Sequence, residues 1–227
     1  MKLAIFLMLI CPLSANAQDY YWKTIPEKEH HKSAVQIDTK SHMGTGVIVR
    51  VIGDPDEKGY KDGVILTCLH VAIWDNNTGN LVITFRCGKK SKGKIIKWDA
   101  VNDLCTISAK IPVEYVPAEF ADTPCVPGDV LEAVGLGGAV PINSVWVRRF
   151  EFVSGRLTDS EKILADEVVV PGDSGGPVFR DGKLVGIMSA GCRNEEVSDP
   201  LRLYVIRGYW GAVIIPTELG KDLCLKD

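Results

Sequence analysis

The sequence predicts an all-β protein. Short β-branched and apolar runs recur from residue 34 onward, and clusters of Gly, Asp, Asn and Pro separate them. Almost no stretch repeats its apolar residues at helical spacing. Strands that follow one another so closely, with turn signals between them, are typical of a β-sandwich or a β-barrel.

The predicted strands form two sets on either side of a proline-rich connector at 111–127. The first set covers 34–37, 45–52, 63–68, 81–86, 94–99 and 104–108. The second set covers 129–135, 145–154, 162–169, 177–180, 184–189 and 203–207, with a further strand near 211–215. Residues 217–223 are predicted to form a short terminal helix, because the strand pattern ends there.

Composition and charge are those of an ordinary soluble globular protein. The 227 residues are 46% hydrophobic and 24% charged, with a formal net charge of −3. The lysine-rich run 89–94 is predicted to be a solvated hairpin rather than a nucleic-acid site. Nothing else in the sequence favours a nucleic-acid partner, and nothing indicates the oligomeric state.

Residues 1–17 have the pattern of a signal peptide. Lys2 precedes an apolar run at 3–13, and Ala15-Asn16-Ala17 is a small-x-small cleavage site. The apolar run is too short to span a bilayer. We therefore expect a secreted or periplasmic protein with no membrane partner after cleavage. Residues 18–33 are expected to form an N-terminal arm in which His30 and His31 are solvated.

Cysteine usage agrees with export. Of the seven cysteines, Cys11 leaves with the predicted signal peptide. The others are Cys68, Cys87, Cys105, Cys125, Cys192 and Cys224. An even number in an exported chain favours disulfide bonds, whose connectivity the sequence leaves open. No C-x-x-C or Cys/His metal spacing is present, so no metal site is predicted.

The chemistry is expected at 172–177, Gly-Asp-Ser-Gly-Gly-Pro, directly after a β-branched run. A serine hydroxyl is a poor nucleophile unless a base removes its proton and the resulting oxyanion is stabilised. Gly172 and Gly175 permit a tight turn that points backbone N–H groups at one place. The alternative is a surface turn with an incidental serine, but the six-residue string is more specific than a lone G-x-S-x-G.

This string resembles the nucleophile segment of the chymotrypsin-like (trypsin-fold) serine proteases. Residues 63–71 resemble the strand-Thr-x-x-His segment of that family and place His70 in the catalytic position. Asp103-Leu104-Cys105 resembles its Asp-(Leu/Ile)-Ala segment, with Asp99 as the rival acid and more simply a turn residue. The chain order His70, Asp103, Ser174 is that of chymotrypsin.

Four further segments extend the resemblance, most closely to bacterial exported members such as the high-temperature-requirement proteases. They are 43–49, which contains Gly-Thr-Gly, and 128–135, 185–191 and 211–216. The resemblance implies two six-stranded antiparallel β-barrels with a short C-terminal helix. It places His70 and Asp103 in a first barrel at 34–116 and Ser174 in a second barrel at 117–227. An Ile-Val-Gly-Gly-like activation site is missing before the first strand, so trypsinogen-style activation is not expected.

The activity that the resemblance implies is that of a secreted serine endopeptidase acting on proteins or peptides without a cofactor. Ser174 would be the nucleophile, His70 the general base and Asp103 its orienting acid, with the N–H groups of Gly172 and Ser174 as oxyanion hole. Ser189, Ala190 and Gly191 would pair with the substrate backbone by strand addition. The alternatives are a catalytically silent peptide-binding protein of the same fold and an esterase using the same site.

Two finer expectations concern the pocket and the thiols. Counting six residues back from the nucleophile, as in the family, places Val168 at the base of the primary pocket. Valine offers no partner for a cation, so cleavage after small or medium apolar residues is predicted, unless Asp166 or Glu167 takes that position. For Cys68 and Cys105, buried thiols are favoured over a disulfide.

Overall fold

Two antiparallel sheets form the described part of the chain. The computed structural model describes residues 27–73, 81–136, 148–157, 162–169, 171–191 and 209–225. The first sheet contains β1 (Ala34–Asp38), β2 (Met43–Ile52), β3 (Tyr60–Cys68), β4 (Leu81–Thr84), β5 (Lys90–Asp99) and β6 (Leu104–Pro112). The second contains β7 (Val130–Gly135), β8 (Arg148–Leu157), β9 (Ile163–Val169), β10 (Pro177–Arg180), β11 (Lys183–Gly191) and β12 (Tyr209–Pro216).

The first sheet closes into a six-stranded barrel in the order β1-β2-β3-β6-β5-β4. Its longest ladder joins β3 to β6, from Tyr60 opposite Pro112 to Cys68 opposite Leu104. The inward side chains are branched aliphatics such as Ile37, Ile65 and Ile107, each with no exposed surface. The β-branched residues that predicted the strands therefore also fill the barrel interior.

The second sheet follows the order β10-β11-β12-β9-β8-β7. At its ends β10 lies beside β7, where Val178 pairs with Ala133 and Phe179 with Glu132. The all-β prediction is confirmed, and the observed strands overlap both predicted sets. The predicted strand at 203–207 lies outside the described residues. No helix in the described part of the chain is long and apolar enough to cross a bilayer.

The terminal helix is shorter and more broken than predicted. A 3-10 turn, η2 (Thr217–Leu219), is followed by the helix α2 (Lys221–Leu225). Although it comes after the second strand set, this segment packs on the first barrel: Leu219 and Leu223 contact the first core, and Cys224 is buried in it. The C-terminal segment thus packs on the first barrel, although it follows the last strand of the second sheet in sequence.

The N-terminal arm crosses in the opposite direction. A 3-10 turn, η1 (Glu29–Ser33), lies against the second sheet immediately before β1 begins. The Nε2 atoms of His30 and His31 each lie 3.0 Å from Oε2 of Glu132 in β7, and Lys28 binds the other carboxylate oxygen. The His30 ring also meets Phe179 edge-on, with ring centroids 4.7 Å apart.

The expectation that His30 and His31 are solvated was wrong. His31 is completely buried and His30 is partly buried. A buried imidazole needs hydrogen-bond partners, and Glu132 supplies one for both rings. Burial alone would raise the pKa of Glu132, but the hydrogen bonds from Lys28, His30 and His31 outweigh it and hold that pKa below its ordinary value.

We predict that Glu132→Gln destabilises the fold by about 1.5–3 kcal/mol near neutral pH, because it removes a charged hydrogen-bond acceptor from a mostly buried cluster. A carboxylate whose pKa is lowered on folding stabilises the fold above its unfolded pKa of about 4.3 and loses that contribution as pH falls through the folded pKa. Urea unfolding should therefore show a difference between Glu132→Gln and wild type that shrinks on acidification below that range. Glu57→Gln, at an exposed site in the β2–β3 turn, is the matched control. A difference that does not change with pH would contradict the assignment.

Candidate active site

His70 lies in the short helix α1 (Leu69–Ile73), which begins directly after β3. The Leu69 N–H donates to the Asp103 carbonyl at 3.0 Å, and the His70 N–H donates to Asp103 Oδ1 at 3.0 Å. His70 Nδ1 lies 2.7 Å from Asp103 Oδ2. Because a carboxylate only accepts, Nδ1 carries the hydrogen, and Nε2 of the neutral ring is a hydrogen-bond acceptor.

Asp103 is held in an unusual backbone conformation just before β6. Its φ angle is +58°, in the left-handed region that residues other than glycine seldom adopt. The preceding turn is closed by Asp99, whose carboxylate accepts from the Val101 N–H at 2.9 Å and from the Asn102 side chain at 2.6 Å. Asp99 is the last residue of β5, and its side chain thus stabilises the turn that leads to Asp103.

The Asp103 carboxylate is also bound from the second sheet. Ser189 in β11 is buried, and its hydroxyl donates to Asp103 Oδ2 at 2.9 Å. Burial opposes the charge of Asp103, but hydrogen bonds from the His70 side chain and backbone, with a further one from Ser189, keep its pKa below the ordinary value. From the resemblance, Ser189 was expected only to pair with the substrate backbone. Its contact with Asp103 was missed, because it joins residues of two different sheets.

Ser174 lies in the loop between β9 and β10, and groups from both sheets fix this loop. The Thr45 N–H donates to the Ser174 carbonyl at 2.9 Å, and the Thr45 hydroxyl donates to the Gly172 carbonyl at 2.7 Å. The Gly175 N–H donates to the Met188 carbonyl at 2.6 Å, one residue before Ser189. The serine loop is thus tied to the same stretch of β11 that binds Asp103.

The Gly175 position has no room for a side chain. Its φ angle is +83°, and an added Cβ would overlap the Thr45 carbonyl oxygen and the Thr67 hydroxyl. Thr67 itself donates to that carbonyl at 2.7 Å. Thr67, which helped to identify the histidine segment, therefore packs against the serine loop at Gly175.

Two backbone N–H groups of the serine loop are left for a ligand. Neither Gly172 nor Ser174 donates its N–H to another group within the described ranges. The Gly172 φ angle of +101° bends the backbone at this point. The Ser174 hydroxyl makes no hydrogen bond to a described residue, so its contact with His70 stays a prediction.

The residues predicted to form the primary pocket lie on neighbouring strands. Val168 in β9 pairs with Trp210 in β12. Ala190 and Gly191 in β11 pair with Val213 and Ala212 of the same strand β12. The ladder between β10 and β11 ends at Ile187, so the Ser189–Gly191 stretch continues past the end of β10.

Two clusters within the described residues bring metal-ligating atoms within 4.8 Å of one another, namely His30–His31–Glu132 and Cys68–His70–Asp103. In the first, the Lys28 N–H donates to His31 Nδ1 at 3.1 Å, so the hydrogen of the neutral ring lies on Nε2 and faces Glu132. In the second, burial raises the pKa of the Cys68 thiol well above its ordinary value. Protonated donors of this kind suit hydrogen bonding better than metal binding.

None of the five cysteines in the described ranges forms a disulfide. These are Cys68, Cys87, Cys105, Cys125 and Cys224. The favoured reading of Cys68 and Cys105 as buried thiols is confirmed. Their register explains why: Cys68 is opposite Leu104 and Cys105 is opposite Thr67, so the two thiols belong to opposite faces of the ladder. The structure thus gives no support to a disulfide framework, and Cys192 lies outside the described residues.

Comparison with known families identifies the family of the chain. Residues 44–187 match the model of the trypsin-like peptidase domain. The chain belongs to the trypsin-like peptidase family. The predicted serine-protease class is thereby confirmed, and the matched range includes His70, Asp103 and Ser174. No curated protein sequence matches the chain.

Solved structures of bacterial proteases share the fold. A serine endoprotease from Yersinia pestis aligns at 21% identity with a TM-score of 0.59, covering 87% of this chain and 65% of that protein. The Rv3671c protease from M. tuberculosis H37Rv, in an inactive form, aligns at 17% identity with a TM-score of 0.61, covering 86% of this chain and 88% of that one. At these identities the likeness concerns the fold. This peptidase spans less than two thirds of the Yersinia protein.

We predict that Gly175→Ala disrupts the serine loop, because the new methyl group must displace the Thr45 carbonyl or the Thr67 side chain. Gly53→Ala is the matched control: its φ angle is +73° and nothing lies within 4 Å of the added carbon. Gly175→Ala should lower the free energy of unfolding by about 1–3 kcal/mol more than Gly53→Ala, measured by urea denaturation. Equal losses for the two variants would contradict this, because they would show that the groups around Gly175 can move to accept a methyl group.

Proposed function

We propose that this chain is an exported serine endopeptidase that acts through Ser174, His70 and Asp103. The observation that carries the proposal is the Asp103 carboxylate, which accepts two hydrogen bonds from His70 while Ser189 binds it from the other sheet. Such an arrangement fixes one tautomer of the imidazole, which is what a general base for a serine hydroxyl requires.

The proposed reaction has two stages, the acylation of Ser174 and the hydrolysis of the acyl-enzyme. His70 Nε2 takes the proton of the Ser174 hydroxyl as its oxygen attacks the scissile carbonyl, and Asp103 stabilises the imidazolium that results. The imidazolium then returns its proton to the leaving amine, which leaves an ester on Ser174. Water, activated by the same ring, hydrolyses that ester and restores the hydroxyl.

The oxyanion hole is assigned to the N–H groups of Gly172 and Ser174. Their freedom from protein acceptors within the described ranges supports this role, because an oxyanion site needs donors that are already positioned and not otherwise engaged. The Gly176 N–H donates to the Asp173 carbonyl at 2.9 Å and so holds the peptide group that carries the Ser174 N–H.

The substrate is proposed to be a protein or peptide that adds as a strand along Ser189, Ala190 and Gly191. The extension of β11 past the end of β10 supports this mode, because on the side away from β12 the strand then has backbone groups that β10 does not pair. The first barrel at 34–116 and a second barrel at 117–227 then frame the cleft between them. Export through the signal peptide at 1–17, to the periplasm or the medium, belongs to the same proposal.

Ser174→Ala should abolish hydrolysis and leave the fold intact, since the hydroxyl is half-exposed and has no hydrogen bond to a described residue. The protein is incubated with a serine-directed phosphonate and with a peptide library, and thermal unfolding reports folding. Wild type should be labelled covalently, and Ser174→Ala should not. His70→Ala should cost about as much activity, because triad members act as a unit.

The alternatives have distinct outcomes in this experiment. Peptide binding without phosphonate labelling would indicate a catalytically silent relative. Labelling with ester hydrolysis but no peptide cleavage would indicate an esterase. Near wild-type turnover by Ser174→Ala would refute the assigned nucleophile.

We further propose Val168 as the residue at the base of the primary pocket, so that cleavage follows Ala, Val or Leu rather than Lys or Arg. Val168→Asp should shift library cleavage toward basic residues, because a buried carboxylate needs a cationic partner. Val168→Ala, which changes size but not charge, is the control. Dominant cleavage after basic residues by wild type would instead point to Asp166 or Glu167.

A further inference from the structure

An open groove lies on the outside of the first barrel, beside the helix that carries His70. Its volume is 950 Å³, and Leu69 and Ile73 of α1 form one wall. Trp98 and Ala100, at the end of β5 and in the turn that leads to Asp103, line it as well. The groove therefore begins at the two elements that hold the catalytic histidine and its acid.

The floor of this groove is apolar and exposed. Trp98 leaves 64% of its surface accessible, an unusually large exposure for an indole, and Ile73 leaves 37%. Ile95 and Ala109 continue the apolar lining toward the middle of the barrel. An exposed apolar surface rimmed by polar groups is typical of a site that binds another molecule.

The rim is basic. Lys92 and Lys94 in β5 line the groove and are exposed, and neither forms an ion pair with a residue in the described ranges. Lys110, also in the lining, is already engaged by Asp62 at 3.1 Å and by Asp56 at 3.7 Å. Two lysine charges beside an apolar floor are thus available to a ligand, although the chain as a whole has a net charge of −3.

The spacing of these lysines matches an extended polypeptide. Residues two apart on a strand point to the same face, roughly 7 Å from one another. Alternate residues of an extended peptide have the same separation, so acidic residues at alternate positions can meet Lys92 and Lys94. An apolar residue that follows on the same face of the peptide would then meet Trp98, which is exposed on the same strand four positions after Lys94.

We propose that this groove is an exosite that binds an extended, acidic and apolar segment of a polypeptide. The inference deepens the proposed function, because such a segment in a protein substrate would be held next to the catalytic elements. It favours a polypeptide over a nucleic acid, since the floor is aliphatic as well as aromatic and the two lysines cover only a short stretch of backbone charge.

The test measures binding rather than catalysis, so it does not depend on the proposed activity. A fluorescein-labelled peptide that carries two Glu and then two Leu at every second position, with Ser between them, is titrated with the full chain carrying Ser174→Ala, and anisotropy is followed. We expect saturable binding that the matched Lys and Leu peptide does not show. Added Lys94→Glu should weaken binding roughly threefold or more, since reversing a surface charge replaces attraction by repulsion. Trp98→Ala should weaken it as well.

The control is Lys40→Glu, an exposed lysine in the β1–β2 turn, which the strand order places across the barrel from β6. It should leave the affinity unchanged, and thermal unfolding should show all variants folded. Equal binding of both peptides, or no effect of Lys94→Glu, would overturn the exosite. Displacement of the peptide by a single-stranded oligonucleotide would overturn its assignment to polypeptides. Binding without phosphonate labelling of wild type would refute the proposed protease and leave the groove assignment standing.

Discussion

Thr45 makes the contacts on which the site depends. Its hydroxyl donates to the Gly172 carbonyl and accepts from the Leu136 N–H at 3.1 Å, directly after β7. Its N–H donates to the Ser174 carbonyl, and its carbonyl accepts from Thr67. One residue of the first barrel therefore satisfies donors and acceptors on the serine loop, on β3 and at the end of β7. Thr45, Thr67, Gly172 and Leu136 are buried, so leaving their polar groups unpaired would carry a desolvation cost.

The Asp103 carboxylate joins the two sheets in a second way. Burial opposes its charge, and the groups that compensate come from α1 on one side and β11 on the other. Because a buried carboxylate keeps its charge only with such partners, the Ser189 hydrogen bond adds to those from His70 in favouring the ionised form of Asp103. The carboxylate that orients His70 is therefore bound from both halves of the chain, although His70 and Asp103 belong to one barrel.

Sequence analysis alone predicted the strands, the serine loop and the pairing of His70 with Asp103. β-branched runs and turn residues are local signals, and the nucleophile string is specific enough to identify a family. What the sequence missed are contacts between residues far apart in the chain. His31 and Glu132 are separated by 101 positions, and Ser189 and Asp103 by 86. The local sequence around His31 indicates a solvated side chain, because the carboxylate that allows its burial belongs to β7, far away along the chain.

The two chain ends complete this dependence between the halves. The arm at η1 is fixed to Glu132 of β7, three residues before Gly135, whose backbone packs directly against the buried Asp173 side chain next to Ser174. The helix α2 returns to the core of the first barrel, where Cys224 is buried. The strand that binds the arm through Glu132 is thus the strand whose Gly135 lies against the Asp173 side chain. Each of these end segments therefore packs against the half of the fold that lies farther from it along the chain.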